Sequence, residues 1–232
     1  FLDLPDPVSA SVTIQQGRLT SPTDDARLSP VNVPTSSPMR GSVVFDDGSE
    51  RDLSTDSRVS FSTPDTACAA VDEGDTANTL RIASGASCNS VVATATVTLG
   101  PYTFVVNASS RPVVYLGSMG VSFSGYPNVG GNCGLSVTSL GLVPCLEDVY
   151  VHATAAVVVT LTDSSSIDVT SQSSLTSSDS SIVYLSSSSS TRMEARAAGL
   201  ATISASFGLY STATGQLDVQ GTVLDAPSSL VW

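Results

Sequence analysis

An all-β chain of two tandem sandwich repeats is what the 232 residues predict, on three observations. Apolar residues alternate at period two in short runs separated by turn residues, the mark of half-buried strands. Charged residues make up only 13% of the chain, and Ser and Thr fill their place. That exchange disfavours helix, because the hydroxyls compete for backbone hydrogen bonds and Thr is β-branched. Sequence markers also recur at a spacing of about 110 residues, a length at which one sandwich buries its own core.

The markers run in chain order. Leu2-Asp3-Leu4-Pro5 near the start is echoed by Leu224-Asp225-Ala226-Pro227, with Arg111-Pro112-Val113-Val114 between them. These prolines read as hinges or first-strand edges, where a missing N–H is tolerated. They predict repeats over 1–111 and 112–225, with 226–232 as a linker or the start of a further repeat. Next come two hairpins. Val43-Val44-Phe45-Asp46-Asp47-Gly48-Ser49 leads into Asp52-Leu53-Ser54, and Thr160-Leu161-Thr162-Asp163-Ser164-Ser165 leads into Asp168-Val169-Thr170. Asp-Gly is a strong hairpin signal, since Gly takes positive φ freely and Asp can accept from a backbone N–H in the turn. Then Val59 to Asp65 aligns with Ser173 to Asp179, with two extra residues just before it in the first copy.

Each copy closes with alternating strands: Val91 to Leu99 and Tyr102 to Asn107 in the first, Ala201 to Phe207 and Gln216 to Leu224 in the second. Thr66 to Val71 and Met193 to Ala198 have some helical character but are too short to stand alone. The expected core is Val44, Phe61, Ile82, Val97 and Phe104 in the first copy, and Val159, Leu161, Leu175, Ile203 and Phe207 in the second.

Asp163-Ser164-Ser165-Ser166-Ile167-Asp168-Val169-Thr170, then Ser177-Ser178-Asp179, then Ala197-Ala198-Gly199-Leu200-Ala201-Thr202-Ile203-Ser204-Ala205 resemble the bacterial Ig-like group 2 family. That family's pattern is a D-G-S-x-x-D-V-T turn, a W-x-S-x-D strand end and an A-x-G-T-A-x-I-x-A strand. The match covers about half of the second copy. In the first it covers Asp47-Gly48-Ser49, Asp52-Leu53-Ser54 and Val59 to Asp65. Phe61 and Leu175 stand where the family carries Trp, and the stretch from Gly125 to Cys145 has no place in the pattern. The resemblance implies immunoglobulin-like sandwiches, a role in spacing, adhesion or assembly, and no catalytic residues.

Net charge is −12, and all nine basic residues are Arg. Such a surface repels phosphate backbones and anionic lipid, so no nucleic-acid partner is expected. No apolar run approaches the roughly 20 residues that span a bilayer, so no membrane insertion of this segment is expected. The ends at Phe1 and Trp232 read as cuts within a longer protein. Four cysteines, Cys68, Cys88, Cys133 and Cys145, allow three pairings. Pairing Cys68–Cys88 and Cys133–Cys145 keeps one bridge per repeat; four reduced thiols in a cytosolic protein is the alternative. Asn107-Ala108-Ser109 is an N-glycosylation sequon. Even cysteine count, sequon and Ser/Thr richness favour the secretory pathway and an extracellular or cell-surface location.

Chemistry is sparse. A P-loop needs Lys, which the chain lacks, so the Gly125–Gly134 run reads as a loop. His152 is the one histidine, no G-x-S-x-G elbow accompanies it, and without a C-x-x-C pair a zinc site is not expected. Asp46, Asp47, Glu50 and Asp52, and again Asp72, Glu73 and Asp75, read as solvated turns rather than a glycosidase pair or a calcium site. The serines 186–190 read as a polar turn, with an O-glycosylated patch as the alternative. The expectation is therefore no enzyme, no catalytic residue, no cofactor and no metal. The chain is expected to be a structural or adhesive segment of a larger surface protein, bound to other chains or copies of itself, with the Gly125–Cys145 stretch as the specific contact. The alternatives are a carbohydrate- or calcium-binding module, or an accessory domain of an enzyme.

Overall fold

A computed structural model of the chain describes residues 5–23, 28, 31–73, 78–126, 137–142, 149–186, 191–208 and 211–223. It divides into two compact units, Phe1–Tyr115 and Leu116–Trp232.

Along the first unit run β1 (Pro7–Ile14), β2 (Ser36–Phe45), β3 (Glu50–Asp52), β4 (Val59–Ser62), β5 (Ala69–Asp72), β6 (Thr79–Ile82), β7 (Ser90–Val91), β8 (Thr94–Leu99), β9 (Tyr102–Asn107) and β10 (Arg111–Pro112). One sheet has the order β1-β2-β6-β5, with β3 on β2; the other is β4-β8-β9. The short β10 pairs with β7. Counting the seven long strands as A to G, this is A-B-E-D against C-F-G, the strand order of an immunoglobulin sandwich.

The second unit repeats it with β11 (Leu116–Tyr126), β12 (Ser139–Leu142), β13 (His152–Leu161), β14 (Ser166–Asp168), β15 (Ser174–Ser177), β16 (Val183–Leu185), β17 (Arg192–Ala195), β18 (Gly199–Phe207) and β19 (Ser211–Val223). The sheets are β11-β13-β17-β16, with β14 on β13, and β12-β19-β18-β15, where β12 runs parallel to β19. Both units are immunoglobulin-like sandwiches in tandem.

The shared turns explain why sequences this different close the same way. Phe45 N–H donates to Ser49 O and Gly48 N–H to Phe45 O, both at 2.9 Å; Leu161, Ser165 and Ser164 repeat both bonds at 2.9 Å. Ser49 N–H donates to Asp47 Oδ1 at 2.8 Å, and Ser165 N–H to Asp163 Oδ1 at 2.9 Å. Gly48 has φ +79°, and Ser164 is forced to +66° at the same place. Next, Ser54 N–H donates to Asp52 Oδ1 and Thr170 N–H to Asp168 Oδ1, each at 2.9 Å. The strand start β1 pairs with β2 past a register break between Pro7 and Ser9, and β11 pairs with β13 past one between Leu116 and Ser118.

Each core lies between its own two sheets. In the first unit Phe61, Ile82 and Val97 are buried, with Phe104 partly buried against them; in the second Val159, Leu161, Ile203 and Phe207 are buried, and Leu175 packs at the margin. Val44 is a correction: Val43 faces the core and Val44 is only half-buried. Odd positions point inward along β2, and the apolar run Val43-Val44-Phe45 carries no alternation from which to read that phase. The two segments with helical character form β5 and β17 instead, because pairings such as Ala69↔Ile82 and Val183↔Ala195 outweigh local propensity. The run from Val91 to Leu99 is broken between β7 and β8, and β19 starts at Ser211 rather than at Gln216. Arg111 and Pro112 pair with Val91 and Ser90, which keeps them in the first unit and puts the division after Tyr115 rather than after Arg111. Residues 226–232 lie outside the described residues.

Candidate interaction surface

Cys68 and Cys88 form a disulfide with Cα atoms 5.7 Å apart. The turn that presents Cys68 is built by Asp65, whose Oδ1 accepts from the N–H groups of Ala67 and Cys68, both at 3.1 Å. Cys68 is buried, and Tyr115 Oη donates to Cys88 O at 3.0 Å. In the second unit Asp179 builds the same turn, with Ser181 N–H donating to its Oδ1 at 2.8 Å. There Ile182 takes the position of Cys68: Arg196 N–H donates to Ile182 O as Ala83 N–H does to Cys68 O, both at 2.8 Å. A Cβ on Gly199 would stand 2.6 Å from Ile182 Cδ1, so an aliphatic contact fills the place of the bridge. Cys133 and Cys145 lie outside the described residues, as does the Gly125–Cys145 stretch apart from Gly125, Tyr126 and 137–142. Of the serines 186–190 only Ser186 is described; it is buried, with its N–H donating to Arg192 O at 3.0 Å.

Asn107 is the exposed last residue of β9, and its Oδ1 lies 2.8 Å from Thr94 Oγ1. Asp46, Asp47, Glu50 and Asp52 surround the first hairpin. Among the described residues, no group of three or more His, Cys, Asp and Glu is placed to hold a metal ion. The turn carboxylates serve the backbone instead. Hydrogen bonds from Ser49 hold Asp47 below the usual carboxylate range, Ser54 does so for Asp52, Thr170 for Asp168 and Ser181 for Asp179. Arg58, donating to Asp56 Oδ1 at 2.8 Å and Oδ2 at 2.6 Å, lowers the Asp56 carboxyl to about 2.

Side chains with interaction chemistry gather on the outer face of the β11-β13-β17-β16 sheet. Tyr126 is opposite His152, Thr154 opposite Arg192, and Tyr184 opposite Glu194. The Arg192 guanidinium carbon lies 4.7 Å from the Tyr126 ring centre, and that of Arg196 3.7 Å from Tyr184. Arg196 Nη2 approaches Glu194 Oε2 at 3.8 Å. Burial, helped by the charge of Arg192 and opposed by Glu194, pushes the His152 imidazole below its usual value. His152 Nδ1 and Arg192 Nε are shielded from water and have no hydrogen-bond partner. The sequence reading did not single out either Arg–Tyr pair. The signal was the alternation Arg192-Met193-Glu194-Ala195-Arg196, which places three charges on one face once the segment is a strand.

The same face of the first unit carries Ala70, Thr79 and Arg81, and there Arg81 is bound to Asp72. A shallow depression of about 570 Å³ lies on the other sheet of the second unit, lined by Thr138, Ser139, Leu200, Gln216, Asp218 and Gln220. Among the described residues, no helix is long and apolar enough to cross a membrane.

No family model matches the chain, and no curated protein does. Solved structures similar to it include an I-band fragment of titin, at TM-score 0.33 and 8% identity, covering 93% of this chain and 65% of that one. Another is a titin pair, Z1Z2, in complex with telethonin, at TM-score 0.30 and 12% identity, covering 93% and 98%. A further titin Ig tandem has TM-score 0.24 and 10% identity, covering 93% and 99%. The chain thus spans 65% of the length of the I-band fragment it matches. At these values the fold rests on the strand order above, not on the superposition.

Proposed function

We propose that the chain is a structural and adhesive segment of a larger extracellular or cell-surface protein, a spacer and assembly module in a fibre, appendage or stalk. The observation that carries this reading is the tandem of two sandwiches whose recurring polar residues build turns. Asp47, Asp52, Asp163 and Asp168 all accept backbone N–H groups, and such residues report architecture rather than chemistry. The Cys68–Cys88 bridge supports an oxidising compartment. The turn and strand motifs support membership of the bacterial Ig-like group 2 family. Asn107, exposed at a strand end, is the glycan acceptor of this reading, and Cys133–Cys145 is its second bridge.

Peptide mass mapping of the native protein, reduced and non-reduced and with glycan release, tests the reading. Bridged Cys68–Cys88 and Cys133–Cys145 peptides with a sugar on Asn107 are expected. Four free thiols and no sugar would move the protein inside the cell and end the surface role. A second reading, a carbohydrate-binding module, has one observation in its favour. Leu200 is 55% exposed and lines an open depression together with Gln216, Asp218 and Gln220, an apolar side chain beside planar polar ones.

A further inference from the structure

The chain carries 21 acidic residues against nine arginines, so copies of it repel each other over much of their surface. The outer face of β11-β13-β17-β16 breaks that pattern at one end, where Arg192, Arg196 and His152 meet a single Glu194. Three of the other arginines are committed: Arg58 to Asp56, Arg81 to Asp72, and Arg111 to Ile14 O at 3.2 Å. Among the described residues, no carboxylate is within ion-pair distance of Arg192. Its guanidinium is instead supported by the Tyr126 ring, with Nε orphaned. A guanidinium stacked on an aromatic ring has already lost much of its rotamer freedom, while its planar fork stays ready to take a carboxylate. Paired Tyr and Arg side chains are also the residue types that carry binding energy at protein interfaces.

We propose that this end of the second repeat's outer face docks the acidic hairpin 46–52 of the first repeat of another copy of the chain. The inference rests on the assembly role proposed above and names its contact. Charge complementarity selects the occupant. Hairpin 46–52 concentrates Asp46, Asp47, Glu50 and Asp52 around one Arg51, and the Glu50–Asp52 strand is exposed at every residue. Asp47 and Asp52 are ionised far below neutral pH through their own turn bonds. On the first repeat's outer face Asp72 occupies Arg81, and Arg40, exposed on β2, lies near Asp52 of that repeat's own hairpin. Surface and occupant are different patches, so each copy offers one of each, and the contacts are met either reciprocally by two copies or by passing on to further copies.

Sedimentation of the full chain at concentrations up to about 1 mM tests this, since rim charge pairs give weak association. The wild-type mass average is expected to rise with concentration and to fall with added salt. Arg192→Glu and Glu50→Arg are each expected to weaken growth about tenfold or more. Arg192→Gln, which removes the charge without introducing the opposite one, should also weaken it and guards against new repulsion as the cause. The decisive sample is an equal mixture of the Arg192→Gln and Glu50→Arg chains. One then has an intact hairpin and the other an intact face, so the mixture should form dimers and stop. A wild type that stays monomeric, growth indifferent to Arg192, or loss on Arg192→Glu with Glu50→Arg silent each overturns the proposal. Mass mapping of native material tests the surface role without involving Arg192, so the two readings fail separately.

Discussion

Replacing Cys68 and Cys88 by Ala should loosen one repeat and leave its neighbour untouched. The bridge closes a loop with a sequence separation of 20. In the chain-entropy treatment, a loop of that size removes about 11 cal/mol/K from the unfolded ensemble, or about 3 kcal/mol at 25 °C. Domain stabilities are about 5–15 kcal/mol, so the first repeat would lose a large share and still fold. Hydrogen exchange read by mass spectrometry resolves the repeats. Core amides of β2, β6 and β8, which open only with the whole unit, should exchange about a hundredfold faster, since 1.4 kcal/mol is about tenfold. Those of β13, β17 and β18 should keep their rates, because Ile182 and Gly199 hold the equivalent place without sulfur. Equal loosening of both repeats would refute the reasoning, and so would unchanged rates in the first.

Two further outcomes follow from the turns and the histidine. Ser164→Gly should stabilise the second repeat by about 0.5–1 kcal/mol, because Ser pays for φ +66° where the first repeat has Gly48; Gly48→Ser should cost a similar amount in denaturant melts. His152 has a depressed folded pKa, so its unfolded form binds a proton first as pH falls. Stability of the second repeat should therefore be full above about pH 6.5 and decline below it until the folded pKa is passed. NMR titration of the His152 ring should show the low value, and His152→Gln should flatten the decline.

The fold was legible where chemistry is local. Asp47-Gly48-Ser49 and Asp163-Ser164-Ser165 announce the same turn, because a carboxylate accepting from the residue two places on needs no tertiary context. The inward residues of β8 and β18 could be read from strict alternation. Phase was hidden in Val43-Val44-Phe45, where three apolar residues in a row fit either face. The Arg–Tyr surface was hidden for another reason. Tyr126 and Arg192 are 66 residues apart in sequence and meet only because β11 and β17 both flank β13. No local pattern encodes that adjacency.

The first repeat's Phe61 lies over Gly41, with ring Cζ 3.2 Å from where a Cβ would stand. By turn register, Val157 occupies the same place in the second repeat: its O accepts from Val169 N–H at 2.9 Å as Gly41 O accepts from Leu53 N–H at 2.8 Å. Phe61 faces a glycine, while its counterpart Leu175 belongs to a repeat with a valine there. A strand exchanged between neighbours on the nascent chain would drive a phenyl ring into an isopropyl group, or leave a hole above bare backbone. Tandem copies of one fold risk swapping strands while they emerge. Here the two copies share their turns and differ in their bulk, so each is protected from completing itself with pieces of the other.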